Sequence, residues 1–443
     1  MRTSNAPART ISAPQAAALV KSGMWLDYGV SLCQPDVFDR ALAARKEELT
    51  NVKIRACLTM QPRAVLEDDP EGNHFHWFNW HFSGYDRKQH DKARCNYLPL
   101  NLGEAPDYYR RFIDPVDIVI LKTCSPDQDG FFNFGPTNMW HRAIVERAKM
   151  VIVEITRGLP YVFGENNGVH LSEIDYIIEG DHAPAPELPN PPPSEVDRAV
   201  ARQIASEIED GACLQVGIGG MPNAVCSLLL ESNVKDLGVH TEMLTDGILH
   251  LYRAGLVTGK NKALDPGKVV FTFAIGSKDL YSALHRNTDF ECFPVNYTNA
   301  PDTIMWNKRV VSINNTTQVD LQGQVASESA GYRHISGTGG QLQFVRGAYA
   351  SPGGKSFICL ASTYEKLGQR RSRIVFEMAA GTIITTPRTD VMYIVTEYGL
   401  VNLKGKSVAE RARAMISIAH PDFRDGLEEQ ALKHRLIPRG VSF

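Results

Sequence analysis

The sequence predicts an α/β protein built on covered, mostly parallel sheets and divided into two domains. Three observations lead there. Apolar runs of strand length recur in both halves of the chain without polar alternation, which is the pattern of strands buried on both faces. Stretches of helical periodicity separate them, as crossover connections between parallel strands require. A proline-rich segment splits the 443 residues into two parts of domain size.

In the first half, VDIVIL (116–121) and MVIVEI (150–155) read as buried strands. The segment NHFHWFNWHF (73–82) alternates aromatic and polar residues, as a half-buried strand does. Its His74, His76 and His81 invite a metal reading, but no carboxylate or cysteine completes a ligand spacing, so no metal site is expected. The run APAPELPNPPP (183–193) fixes φ and removes backbone donors, so it belongs to neither helix nor sheet interior. This gives an N-terminal domain over 1–182, a linker over 183–193 and a C-terminal domain over 194–443. The second domain opens on a capping-box-like pair, Ser194 and Asp197. Val196, Val200, Ile204 and Ile208 then follow at helical spacing, and Gly211 is the expected stop. Further strands are CLQVG (213–217), KVVFTFA (268–274), SFICLA (356–361) and VMYIVTE (391–397), and SVAERARAMISIAH (407–420) is an amphipathic helix.

Composition excludes several classes of function. A formal net charge of −3 is wrong for a nucleic-acid coat or an anionic-membrane binder, although it is compatible with a local pocket for one phosphorylated ligand. No stretch approaches the roughly 18 uninterrupted apolar residues of a membrane helix, and the first fifteen residues lack a secretory h-region. The eight cysteines are scattered with no C-x-x-C pair. They read as free thiols in a reducing compartment, so a cytoplasmic location is expected.

Four segments can carry chemistry. In VGIGGMPNAV (216–225) an apolar strand runs into Gly217, Gly219 and Gly220, with Pro222 where a helix begins. Glycines allow a tight turn, and the helix start offers free N–H groups to a phosphate or an oxyanion. A dinucleotide fingerprint is the rival reading, but its third glycine is missing; a structural strand-to-helix turn is the other. In HTEMLTDG (240–247), Glu242 stands at a strand end, where α/β folds present ligand groups, though a lone glutamate there is commonly a solvated loop residue. A held, partly desolvated carboxylate is a competent nucleophile toward a thioester. In SGTGGQLQFVRGA (336–348), Gly339 and Gly340 can bring N–H groups onto a ligand and Arg346 adds a charge; a surface hairpin fits the same pattern. In SINNTTQVD (312–320), Asn314 ends an apolar run and can equally cap a turn. Cys124 has no identifiable histidine partner and reads as a buried thiol rather than a nucleophile.

Together these segments resemble the acetyl-CoA hydrolase/transferase family of class I CoA-transferases. TPRTDVMYIVTEYGLVNLKGKS (386–407), AHPDFR (419–424), WHFSGYDRKQHD (80–91), RCNYLPLNLGEAPDYYRRFIDPVD (94–117) and NGVHLSEIDYIIEGD (167–181) extend the match over most of the chain. Its motifs are nearest to those of butyryl-CoA:acetate and 4-hydroxybutyrate CoA-transferases. The resemblance implies two similar open α/β domains with the active site at their interface, and Glu242 as nucleophile. It also implies an oxyanion hole from the Gly219, Gly220 and Met221 turn with the Gly339 and Gly340 pair. Asn314 would lie near the acyl carboxylate, and Glu397, a second buried glutamate, would orient the site. The resemblance further implies that no cofactor is held permanently, that coenzyme A is a substrate, that the partners are acyl-CoA and short carboxylates, and that the chain forms a homo-oligomer, dimer or tetramer. Lys355 and Lys260 are the candidate nucleotide-binding lysines, and Met221, Trp77 and Tyr85 the candidate acyl-pocket residues. The same chemistry on succinyl-CoA or itaconate, acyl-CoA hydrolysis, and non-catalytic CoA binding are the alternatives.

Overall fold

The computed structural model describes residues 3–4, 7–189 and 192–438. The chain forms two compact units, Met1–Leu188 with Val270–Thr298, and Pro189–Val269 with Asn299–Phe443.

The first unit is built on eight strands: β1 (Arg9–Thr10), β2 (Trp25–Val30), β3 (Val52–Cys57), β4 (Phe75–Asn79), β5 (Cys95–Tyr97), β6 (Ile118–Cys124), β7 (Met150–Thr156) and β8 (Tyr176–Glu179). They order β1-β8-β7-β6-β2-β3-β4-β5, with every neighbouring pair parallel. This is a doubly wound open sheet whose order reverses between β6 and β2. The VDIVIL and MVIVEI runs supply β6 and β7, and β4 shows the strict burial alternation expected of the aromatic segment. The one acid inside MVIVEI has a structural reason. Glu154 is buried and accepts the backbone N–H groups of Asp36, Val37 and Phe38 at 2.9–3.1 Å. Those donors open helix α1 (Val37–Ala43) and would otherwise be orphaned.

The strands that position the site in the second unit are β9 (Cys213–Val216), β10 (Gly238–Leu244), β11 (Val310–Asn315), β12 (Lys355–Cys359), β13 (Tyr393–Thr396) and β14 (Gly399–Asn402). They run β10-β9-β11-β12-β13-β14, parallel except for the final β13/β14 hairpin. Helix α2 (Glu195–Ala205) starts on the expected capping box between Ser194 and Asp197. Helix α3 is Gly220–Leu230, α4 is Gln341–Ala350 and α5 is Val408–Ser417.

Three boundaries differ from the sequence expectation. Residues 270–298 pack with the first unit rather than the second. Asn138 donates from its backbone to the Thr272 carbonyl (2.8 Å) and from its side chain to that of Cys292 (2.8 Å). The proline-rich run is docked as far as Leu188: Pro186 accepts from the Tyr281 hydroxyl, Glu187 from the Lys278 N–H, and Leu188 donates to Gly276. Its Asn190 and Pro191 lie outside the described residues. Finally, α2 stops at Ala205, well before Gly211. Glu207 and Ile208 already bond back three residues, and Lys355 takes the Glu207 carbonyl at 2.9 Å. Gly211 still holds a positive φ of 72°, inside the following turn.

Candidate active site

Glu242 lies within β10, two residues before its end, rather than in a loop after it. Cys213 pairs with both Gly238 on one side and Val310 on the other. Counting along the parallel strands places Glu242, Gly217 and Asn314 at one level, with Glu242 and Asn314 about 10 Å apart across two strand spacings. The residues two positions earlier, His240, Gln215 and Ser312, form a buried polar row on the same face. Ser312 donates to Gln215 (2.7 Å), and the Asn314 amide donates to Gln215 (3.1 Å) and Ser312 (2.8 Å). Asn314 is therefore fixed in orientation by its own sheet, not free to cap a turn.

Two donors converge on the Glu242 carboxylate. The Asn299 side-chain amide lies 2.5 Å from Oε2, and the Gly340 N–H also donates to it. Burial pushes the carboxyl group up to about 7, against the pull of these two neutral donors. Gly340 immediately precedes α4, so the positive end of that helix faces the carboxylate. This replaces the hairpin reading of the Gly339 segment: the chain turns at Gly339, with φ 62°, and enters a ten-residue helix. A methyl group on Gly340 would overlap Glu242 Oε2 and Asn299 Nδ2. Asn299→Leu is expected to remove one of the two donors and raise the Glu242 carboxyl further. The acidic limb of kcat/KM would then move to higher pH, which a pH–rate profile measures.

The other glycine turn leaves β9 at the same end of the sheet. Gly219 holds φ 115° just before α3, a conformation closed to residues with a Cβ. Asn315 steadies the turn by donating to the Ile218 carbonyl (2.9 Å). Gly220 packs against the Asp197 carboxylate, Met221 is buried, and Pro222 falls within the first turn of the helix. The N–H groups of a helix start thus lie at the strand end next to Glu242's own strand.

Residues 2–189 match the acetyl-CoA hydrolase/transferase N-terminal domain and residues 276–431 the corresponding C-terminal domain. The butyryl-CoA:acetate CoA-transferase of Anaerostipes caccae is 45% identical over 97% of both chains. The chain belongs to the acetyl-CoA hydrolase/transferase family. The 4-hydroxybutyrate coenzyme A transferase of Clostridium kluyveri is 38% identical over 96% of this chain and 97% of that one. The crystal structure of RipA from Yersinia pestis superposes with a TM-score of 0.89 at 36% identity, covering 97% and 98% of the two chains. The chain is a CoA-transferase by class, and among the described residues no helix is long and apolar enough to cross a membrane.

Several residues expected at the site of this family member are engaged elsewhere. Lys355 opens β12 and pairs with Val311, three residues short of the Asn314 level and toward the opposite edge of the sheet. Its ammonium group is held by the Glu207 carbonyl and carboxylate (both 2.9 Å), with Glu209 at 3.7 Å. Lys260 is bound to Asp236 (2.8 Å) and Arg346 to Asp390 (2.7 Å). Glu397 is half-buried rather than buried, and accepts from the Ser362 N–H (2.8 Å) and hydroxyl (2.6 Å). Trp77 fills the core of the first unit against Tyr28, and Tyr85 donates to Glu67 at 2.6 Å. Burial pushes the Cys124 thiol up to about 12, which removes it as a nucleophile. Sequence reasoning missed Asn299. It sits before Ala300-Pro301 and a short helical turn, a position that reads as a helix cap and gives no sign that its amide reaches a residue 57 positions away.

Proposed function

We propose that the chain moves CoA from a short-chain acyl-CoA to a free carboxylate, of the butyrate/acetate or 4-hydroxybutyrate type, through a thioester on Glu242. One observation carries this reading: a half-buried glutamate whose carboxylate is desolvated and held by an amide and a backbone N–H, at the start of a helix and near a strand's C-terminal end. Partial desolvation makes such a group reactive, and neutral donors orient it without quenching its charge as a cation would.

The steps follow from that geometry. The Glu242 carboxylate attacks the acyl carbon, the C–S bond breaks, and an acyl–glutamyl anhydride and CoA thiolate result. The thiolate attacks the glutamyl carbonyl, the anhydride C–O bond breaks, and the first acid leaves as its carboxylate. The acceptor carboxylate attacks the glutamyl-CoA carbonyl and expels CoA thiolate, leaving a new anhydride. Thiolate attack on its acyl carbon yields the new acyl-CoA and restores Glu242. Each addition places negative charge on a carbonyl oxygen. Gly340, and the Gly219–Gly220–Met221 turn, supply preorganised N–H groups for it. Asn314, fixed by Gln215 and Ser312, stands at the level of Glu242 on the sheet, and Glu397 holds Ser362 through its N–H and hydroxyl.

Incubation with butyryl-CoA followed by borohydride should convert Glu242 alone to the reduced side chain, read by peptide mass spectrometry. An unmodified Glu242 with acyl-CoA binding intact would leave a non-catalytic CoA binder. Thioester consumption should also depend on added acetate; turnover independent of any acceptor acid would make the chain a hydrolase. Comparing acetate, 4-hydroxybutyrate, succinate and itaconate as acceptors identifies the acid pair.

A further inference from the structure

Gly340 serves Glu242 only if the loop before α4 is held in place, and the hydrogen bonds of that loop converge on one buried residue and its neighbour. Glu328 is buried in the second unit. One of its carboxylate oxygens accepts the Thr338 hydroxyl (3.0 Å), the other the Thr385 hydroxyl (3.0 Å). Its backbone carbonyl accepts the N–H groups of Ile335 (2.7 Å) and Ser336 (3.3 Å). The neighbouring Ser327 joins the same clasp, donating its N–H to Thr385 and accepting the Ser336 hydroxyl. Burying a carboxylate is expensive unless its oxygens are well bonded, and a glutamine or an aliphatic side chain would fill the same volume at less cost. The Glu328 carboxylate reaches Thr338, two positions from the N–H that touches Glu242, while its carbonyl holds residues 335 and 336.

We propose that Glu328 is a positioning residue for the reaction, clasping the 335–340 loop through Thr338 so that the Gly340 N–H is aimed at Glu242. The inference rests on Glu242 being the nucleophile. A loosened loop leaves the fold in place but lets Gly340 drift, and displacements of about 1 Å in such groups cost up to roughly 100-fold in rate. A looser Gly340 contact also removes a donor that favours the charged form of Glu242.

Steady-state kinetics on Glu328→Gln test this. A fall in kcat of about 10- to 100-fold is expected, with KM for acyl-CoA unchanged and the acidic limb of kcat/KM moved to higher pH. Thr338→Val should reproduce both changes, and Thr338→Ser, which keeps the hydroxyl, should restore the parent values. Unchanged kcat and an unmoved acidic limb, with or without a lower Tm, would overturn the proposal and leave Glu328 a fold residue. Should Glu328→Gln fail to fold, Thr338→Val decides by the same two readouts. Borohydride trapping separates the two inferences. No adduct on Glu242 in the parent enzyme defeats the nucleophile reading and this inference with it, whereas equal trapping rates in parent and variant defeat this inference alone.

Discussion

Glu242→Gln is expected to abolish CoA transfer, by at least about 10⁴-fold, and to make the protein more stable at alkaline pH. The first effect follows from the chemistry, since a carboxamide cannot form and release the mixed anhydride, and removing a covalent nucleophile costs factors of this size or more. The second follows from linkage. The carboxyl group titrates near 7 in the folded chain and near 4.5 when unfolded. Below pH 4.5 both states hold the proton and the group contributes nothing. Between those values the folded chain binds the proton more tightly, so stability falls as pH rises; above 7 the loss is complete. At about 1.4 kcal/mol per pH unit, that loss is on the order of 3 kcal/mol. Glutamine, always neutral, escapes it. Denaturant titrations of both proteins at pH 4 and pH 8 should therefore show similar stabilities at the lower pH and a more stable variant at the higher. Equal stabilities at pH 8 would mean that Glu242 is not the desolvated group described.

Much of this was legible in the chain. Runs such as VDIVIL and CLQVG can be satisfied only by strands covered on both faces, and Ser194 with Asp197 marks a helix start by hydrogen bonds three residues apart. Glycine was equally informative, because Gly219 and Gly339 hold positive φ that other residues resist. The misreadings share one physical origin: they concern contacts that bridge distant parts of the sequence. Lys355 reads as a loop residue, yet it opens β12 and pairs with Glu207, 148 residues away. Trp77 looks like a pocket residue until the sheet closes over it. Asn299 reads locally only as a helix cap, and Glu328 carries no local pattern, since their partners Glu242 and Thr338 lie on other elements. The separation of 270–298 from the rest of its half arises in the same way, from bonds to Asn138 that no linear signal announces.

Gly340→Ala is expected to lower kcat by about 10²- to 10³-fold, the size of effect seen when an oxyanion donor is lost, while leaving Tm nearly unchanged. The two expectations come from different atoms. Gly340 has φ −99° and ψ 5°, which alanine adopts without strain, and it lies at the start of a helix where alanine is tolerated. The added methyl group meets the carboxylate tip of Glu242 and the amide tip of Asn299. Both are ends of side chains, so they can turn aside without moving the backbone, but in doing so they move the nucleophile off its line of attack and break the Gly340 bond. Gly339→Ala should behave in the opposite way. Its φ of 62° resists a Cβ, so about 1 kcal/mol of stability would be lost, with the smaller effect on kcat. Thermal melts and single-turnover rates on the two variants separate these outcomes. Full activity in Gly340→Ala would show that Glu242 reacts from a position other than the one in which Gly340 and Asn299 hold it.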